Sequence, residues 1–280
     1  MLVRKPAVAG QFYPADPAEL STLIDECYLH RLGPGKAPPA ARRDAASVAV
    51  VCPHAGYVYS GPVAAHSYFH VSSFPNPQLI VVVAPNHYGI GSGVSTFKEG
   101  EWETPLGRMR VDSEAAKELA ELAGIVAFDP GAHRLEHSLE VQLPFLQRIF
   151  GDSVPFLPVS LLFQDVDTAK TVSSALVHVL RGRRAVLVAS SDLTHYEPAE
   201  EAKKKDAALI QQVLKMDLEG FYSTLEKLNV TACGFGAIAT VMETARSLGL
   251  AKAELLKYAS SGDTTGDNLQ VVGYGALRFV

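Results

Sequence analysis

Cysteine is scarce in this chain. Three thiols in 280 residues, Cys27, Cys52 and Cys233, form an odd and widely spaced set, which excludes a disulfide framework and leaves each one needing its own explanation. A dominant charge is lacking as well: 25 basic against 30 acidic residues give a formal net charge of −5, so there is no global attraction for nucleic acid or for an anionic membrane surface. Long hydrophobic runs are also missing. SVAVVC, LIVVVAP and AVLVAS are strongly apolar but far too short to span a bilayer, and the opening MLVRKPAVAGQFYP has no apolar signal-peptide core. The expectation is a cytoplasmic globular protein, and a hydrophobic fraction of 48% is enough to build its core.

What is present alternates. SVAVVC (47–52), LIVVVAP (79–85), VPFLPVSL (154–161) and AVLVAS (185–190) are continuous, largely β-branched runs, the pattern of strands covered on both faces. Helical patterns lie between them: GPVAAHSYFHV, DSEAAKELAELAG, HSLEVQLPFLQRIFG and DTAKTVSSALVHVLRG, with more at 198–215, 217–228 and 234–248. An earlier helix is marked by Asp16 as N-cap, Pro17 in its first turn and Gly33 as its stop. The Gly-, Pro- and Ala-rich stretch 33–47 reads as a loop, and the last 26 residues read as two strands forming a hairpin at a sheet edge. Strand alternating with helix predicts an α/β fold, with a central, largely parallel or mixed sheet and helices on both faces.

The polar residues fall at telling positions. The first run delivers His54 just beyond its C-terminal end, the second His87, and the fourth Ser191, Asp192 and His195. Open α/β sheets bind ligands outside the carboxyl ends of their strands, so residues distant in sequence are expected to meet there. A single histidine at a strand end is commonly a loop anchor; three at equivalent topological positions point to a site. His66, His70 and His178 fall inside helical patterns and His30 near a helix end, which suits structural or surface roles.

A further cluster, HRLEHSLEVQLPFL, holds His133, Glu136, His137 and Glu140. On a helix, His133 and His137 would share a face, as would Glu136 and Glu140. The zincin pattern needs Glu directly after the first histidine, and HRLEH lacks it, so His133, Glu136 and His137 are expected to support the pocket from behind. Cys233 lies in NVTACGFGAIA, at or just before a helix start. There the helix dipole and free backbone N–H groups would stabilise a thiolate, and the neighbouring glycines permit close approach. Buried packing, nucleophile and metal ligand all remain open for it.

Seven segments in order, AGQFYP, PHAGYVYSGPVAAHSY, APNHYG, TPLGRMRVD, EHSLEVQLPFL, SSDLTHY and CGFGAI, give the sequence a specific resemblance to the Memo family. That family shares its fold with class III extradiol ring-cleavage dioxygenases of the LigB type. The resemblance implies one domain over residues 1–280, a metal set of His54, His87 and Cys233, and Asp192 and His195 as catalytic groups lining the same cavity. Extradiol dioxygenases hold Fe(II) with two histidines and a carboxylate. Cysteine in the carboxylate's place implies a softer site for iron or copper, with a thiolate that is itself open to oxidation. The family's human member is associated with phosphotyrosine-peptide binding and copper-linked redox chemistry. No segment here reads as a phosphotyrosine pocket, so that signalling role is not carried over.

Three functions compete. The first is a non-haem metal-dependent redox protein, dioxygenase-like, acting on a small substrate, with His195 as acid/base and Asp192 orienting it or binding substrate. The second is a metal-free hydrolase or transferase with Cys233 as nucleophile. The third is a non-enzymatic module that uses the pocket to hold a peptide or small anion.

Overall fold

The four apolar runs pair with one another. In the computed structural model, which describes residues 2–38 and 47–280, the strands Ser47–Cys52, Ala185–Ser190, Leu79–Pro85 and Phe156–Leu161 lie side by side in that order, all parallel. Most of the loop expected over 33–47, residues 39–46, lies outside the described residues. Val271–Phe279 adds antiparallel to Ser47–Cys52, and Val94–Thr96 antiparallel to Phe156–Leu161. With Val126–Phe128, Ala253–Ser260 and His195–Glu197 these make a mixed nine-stranded sheet. The closing hairpin is present at one edge as expected, with a short helix, Ser261–Thr265, in its loop. A separate three-stranded sheet joins Val3–Arg4, Glu101–Thr104 and Gly107–Arg110. These strands of two to four residues are too short to leave a periodic signal in the sequence.

Side chains alternate across the parallel strands and build two cores. Ala49, Val51, Val81, Val83, Leu187 and Ala189 face helices Ser113–Ala123, Val166–Val179 and Phe235–Ser247. Val48, Val50, Ile80, Val82, Val186 and Val188 face the opposite layer, with helices Pro17–Leu29, Tyr57–Val71 and Leu143–Phe150. Both strand faces are covered, which is why these runs show no polar alternation. Two of the three thiols are explained here: Cys27 and Cys52 are buried in the second layer as packing. Among the described residues no helix is long and apolar enough to cross a membrane.

One expected helix starts late. The pattern HSLEVQLPFLQRIFG forms a 3₁₀ turn at Glu140–Gln142 and becomes α-helical only from Leu143. His133 instead closes a four-residue helix, Pro130–His133, so neither the His133/His137 pair nor the Glu136/Glu140 pair shares a helix face. Tertiary partners outcompete the helix: Glu136 accepts the N–H of His87 at 2.6 Å, and Glu140 accepts those of Ala7 at 2.7 Å and Val8 at 3.1 Å.

Glu140 is fully buried, and the Tyr13 hydroxyl and the Arg4 guanidinium also donate to it. Arg4, itself buried, donates further to the carbonyls of His133 at 3.1 Å and Glu136 at 2.7 Å and lies 4.5 Å from the centre of the Trp102 ring. This network ties the N-terminal segment to the loop 133–142. Replacing Glu140 with Ala strands Arg4 in the core, and denaturant unfolding should show a loss of about 3–5 kcal/mol. A loss under about 1 kcal/mol would show that the network does not hold the loop.

His133 sits under the same network. It lies edge-on to Phe97 and Trp102, its Nε2 is 3.2 Å from Ser95 Oγ, and its Nδ1 has no partner among the described residues. Burial, and then the Arg4 guanidinium, push its imidazole down to about 3. The unfolded chain therefore takes up this proton first as pH falls. The contribution to stability is complete above roughly pH 6.5 and is lost progressively toward about pH 3, a change of a few kcal/mol. His133→Gln should flatten the pH dependence of the unfolding midpoint between those limits, and an unchanged slope would refute this account.

Candidate metal centre

The three strands that end in ionisable residues are immediate neighbours: Ala185–Ser190 lies between Ser47–Cys52 and Leu79–Pro85. Their ends are level, with Cys52 paired to Ser190 and Val83 to Ala189. Parallel neighbours lie about 4.8 Å apart, so residues just beyond these ends meet without any long reach. Asn86 shapes the second loop: its Oδ1 accepts the N–H groups of Tyr88 and Gly89, both at 3.1 Å, and its amide donates to Ile90 O at 2.8 Å. Asp192 Oδ1 accepts the His54 N–H at 2.7 Å, joining the first strand end to the middle one.

Cys233 arrives from outside the sheet, one residue ahead of Gly234, the N-cap of helix Phe235–Ser247. A Cβ on Gly234 would stand 2.2 Å from Ser190 O, so only glycine lets this loop lie directly on the strand end. The ligand atoms of His54, His87 and Cys233 all fall within 4.8 Å of one another, and Cys233 Sγ is 3.0 Å from His54 Nε2.

The hydrogen-bond network fixes both imidazoles. Ser190 Oγ has a single proton and gives it to Ser138 O at 2.6 Å, so it must accept from Gln142 Nε2 at 2.8 Å and from His54 Nδ1 at 2.9 Å. Gln142 is held in turn, donating to Pro53 O at 3.0 Å and accepting from the Tyr68 hydroxyl at 2.6 Å. His54 therefore carries its proton on Nδ1 and presents a bare Nε2. His87 is held by the same nitrogen: its Nδ1 donates to Glu136 Oε1 at 2.9 Å, and its backbone N–H donates to Oε2 at 2.6 Å. A carboxylate behind the distal nitrogen raises the basicity of the proximal one and locks the ring.

The electrostatics favour a neutral imidazole at His54. Burial, and then the neighbouring imidazoles of His137, His87 and His195, hold His54 well below the ordinary histidine value. Burial alone would raise Glu136, but the His87 hydrogen bond and the other N–H donors outweigh it and bring it down to about 2. Burial and the adjacent Asp192 push the Cys233 thiol well above its usual value, which corrects the expectation of a thiolate stabilised by the helix start. The backbone N–H groups expected to be free there are occupied: Gly234 donates to Ser191 Oγ at 2.9 Å and Gly236 to Gln164 Oε1 at 2.8 Å. A bound cation would take the place of the thiol proton. Two imidazole nitrogens and one sulfur, from a buried His54, an exposed His87 and a half-buried Cys233, suit a first-row transition metal with an open position.

A cavity of about 550 Å³ opens onto these donors, and Asp192, His195 and His137 line it. Burial raises the Asp192 carboxyl to about 6. It does not orient His195 as expected, because its Oδ1 is engaged by the His54 N–H; the His195 ring is held by Thr231 O at 2.9 Å. His137 stacks on His87 with ring centres 4.7 Å apart, and burial, first among several neighbours, lowers it to about 4. His133 does not reach this cavity, being part of the packed core against Trp102. His87, Glu136 and His137 also lie at ligand spacing, but Glu136 already receives three N–H groups and acts as a support for His87. Ser190, Gln142 and Thr231 escape sequence reasoning. Only Ser190, level with the strand end in AVLVASSD, leaves a positional hint.

Comparison with known proteins agrees with this architecture. The family model described as Memo-like protein matches residues 4–278. A MEMO1 family protein of Nitrosopumilus maritimus (strain SCM1) is 47% identical over 279 residues, covering 100% of both chains. Another, from Methanopyrus kandleri (strain AV19), is 46% identical over 278 residues, covering 99% of this chain and 98% of its own. The crystal structure of the uncharacterized protein JW3007 from Escherichia coli K12 superposes with a TM-score of 0.54 at 15% identity, over 83% of this chain and 99% of that one, a likeness of fold alone. With nearly its whole length matched, the chain belongs to the Memo-like protein family.

Proposed function

We propose that this chain is a metal-dependent redox protein that holds iron or copper through His54 Nε2, His87 Nε2 and Cys233 Sγ and acts on a small, oxygen-reactive substrate. The observation that carries the reading is the hydrogen bonding: both histidines have Nδ1 tied to a buried acceptor, which leaves Nε2 as the ring nitrogen available to a metal. A bound iron or copper ion would supply electron exchange and polarise a substrate oxygen. The protein's own groups do the rest. His195, which lines the cavity with its Nδ1 held by Thr231 O, would use Nε2 as the acid/base group. Asp192, whose carboxyl burial raises to about 6, would accept a proton or a substrate hydrogen bond while fixing the His54 backbone.

The 3.0 Å contact between Cys233 Sγ and His54 Nε2 also suits a metal-free nucleophile with its base. Two observations weigh against that reading. The thiol is pushed toward its protonated form, and the N–H groups of Gly234 and Gly236, which could have stabilised an oxyanion, are already engaged.

Anaerobic purification followed by elemental analysis tests the assignment. Cys233→Ala, His54→Ala and His87→Ala should each lose most of the bound metal, while Cys233→Glu should recover iron by restoring two histidines and a carboxylate. Unchanged occupancy in Cys233→Ala would refute the ligand set and leave the thiol to packing or nucleophilic chemistry.

The supporting residues should separate by readout. Glu136→Gln removes the anionic anchor of His87 and is expected to weaken metal binding roughly 10–100-fold. His195→Ala should leave metal content near wild type while lowering turnover on a substrate, once one is found, by about 10²–10⁴-fold. Loss of metal in His195→Ala would make it a ligand and overturn its role here.

A further inference from the structure

The strand that carries His195 breaks its own pairing at the next residue. His195 pairs with Val272 and Glu197 with Val271, which leaves Tyr196 as the extra residue of a β-bulge. Its φ is +59°, in the left-handed region that a bulky side chain disfavours. Among the described residues the other non-glycine cases are Asn76, Met216 and Asn229, two of them asparagine, which tolerates this backbone. The conformation of Tyr196 is imposed from both sides. The His195 N–H donates to Thr231 Oγ1 at 2.7 Å, and Lys205 Nζ donates to Glu197 Oε1 at 2.5 Å.

Packing does not explain the tyrosine. Its side chain is 72% exposed, and its hydroxyl has no hydrogen-bond partner among the described residues. The bulge instead sets the ring at the mouth of the metal cavity, 5.7 Å from the His195 ring, where it lines the same space as His54, His87 and Cys233. Tyr59, 43% exposed, lines that cavity too. Strain held at a functional opening, with no return in packing, is the signature of a residue kept for what it touches.

We infer that Tyr196 is a ligand-contacting residue whose ring stacks on a planar aromatic group of a ligand held at the His54–His87–Cys233 centre, an inference that rests on the metal reading above. Asparagine at this position would hold the bulge more easily, so the ring is what accounts for the tyrosine. Aromatic faces gain from offset or edge-to-face contact at ring separations of about 4.5–7 Å. The open mouth leaves room for such a contact beside His195.

Two probes that share a metal-binding head isolate the ring: acetohydroxamate and benzohydroxamate, titrated into the cobalt(II)-loaded protein and followed by its visible absorption. Wild type and Tyr196→Phe should bind benzohydroxamate more tightly than acetohydroxamate. Tyr196→Asn should lose that preference by roughly three- to tenfold while binding acetohydroxamate as wild type does, and its metal-free form should melt no lower than wild type. Lack of a ring preference in wild type, a preference unchanged in Tyr196→Asn, or a lower melting temperature for that variant would each overturn the inference. Failure of acetohydroxamate to bind wild type would instead strike the metal reading, and this inference with it.

Discussion

The level, parallel pairing of three neighbouring strands is the constraint on which the rest depends. Ser47–Cys52, Ala185–Ser190 and Leu79–Pro85 share one direction and one register, so their carboxyl ends form a single ledge. His54, His87 and Asp192 come from positions up to 138 residues apart in the chain, yet each lies just two residues beyond the end of its strand. A slip of one residue in any of the three would exchange its two side-chain faces and move its polar residue along the ledge. The two interlocking cores resist this, because each face of each strand is already packed against its own layer of helices.

The ledge is supported from below by groups that never face the cavity. Gln142, Ser190, Ser138 and Glu136 form a buried hydrogen-bonded frame in which every proton has a defined place. Frames of this kind are costly when incomplete and specific when complete. This one is completed by the loop 133–142, and that loop is in turn pinned by Arg4 and Glu140. The N-terminal strand, far from the donors in sequence, thus helps decide where the imidazoles point.

Much of this architecture is legible in the amino-acid sequence. The central strands have almost the bounds of their apolar runs, because strands buried on both faces must be apolar throughout. The convergence of His54 and His87 follows from topology, and the inclusion of Cys233 from the Memo resemblance. What stays hidden lies in tertiary contacts. The segment 133–142 has helical spacing, but its two glutamates are claimed by distant or neighbouring backbone N–H groups, so the regular helix waits until Leu143. The hold of Thr231 on the His195 ring is invisible because it runs through a carbonyl, which any residue possesses. The upward push on the Cys233 thiol is equally hidden, because it comes from burial and from Asp192, which is remote in sequence.

Gly234 sets the terms on which the third donor can change. Two of the candidate donor positions follow sheet strands, whereas position 233 lies on a connecting loop that lies against the strand end where Gly234 has no side chain. The chemical hardness of the donor set is thereby uncoupled from the architecture that aims it. A single codon at 233 can exchange sulfur for oxygen or nitrogen while the ledge, both cores and the imidazole frame stay as they are. On the metal reading proposed above, one scaffold would therefore accept different donor sets at this site without being rebuilt.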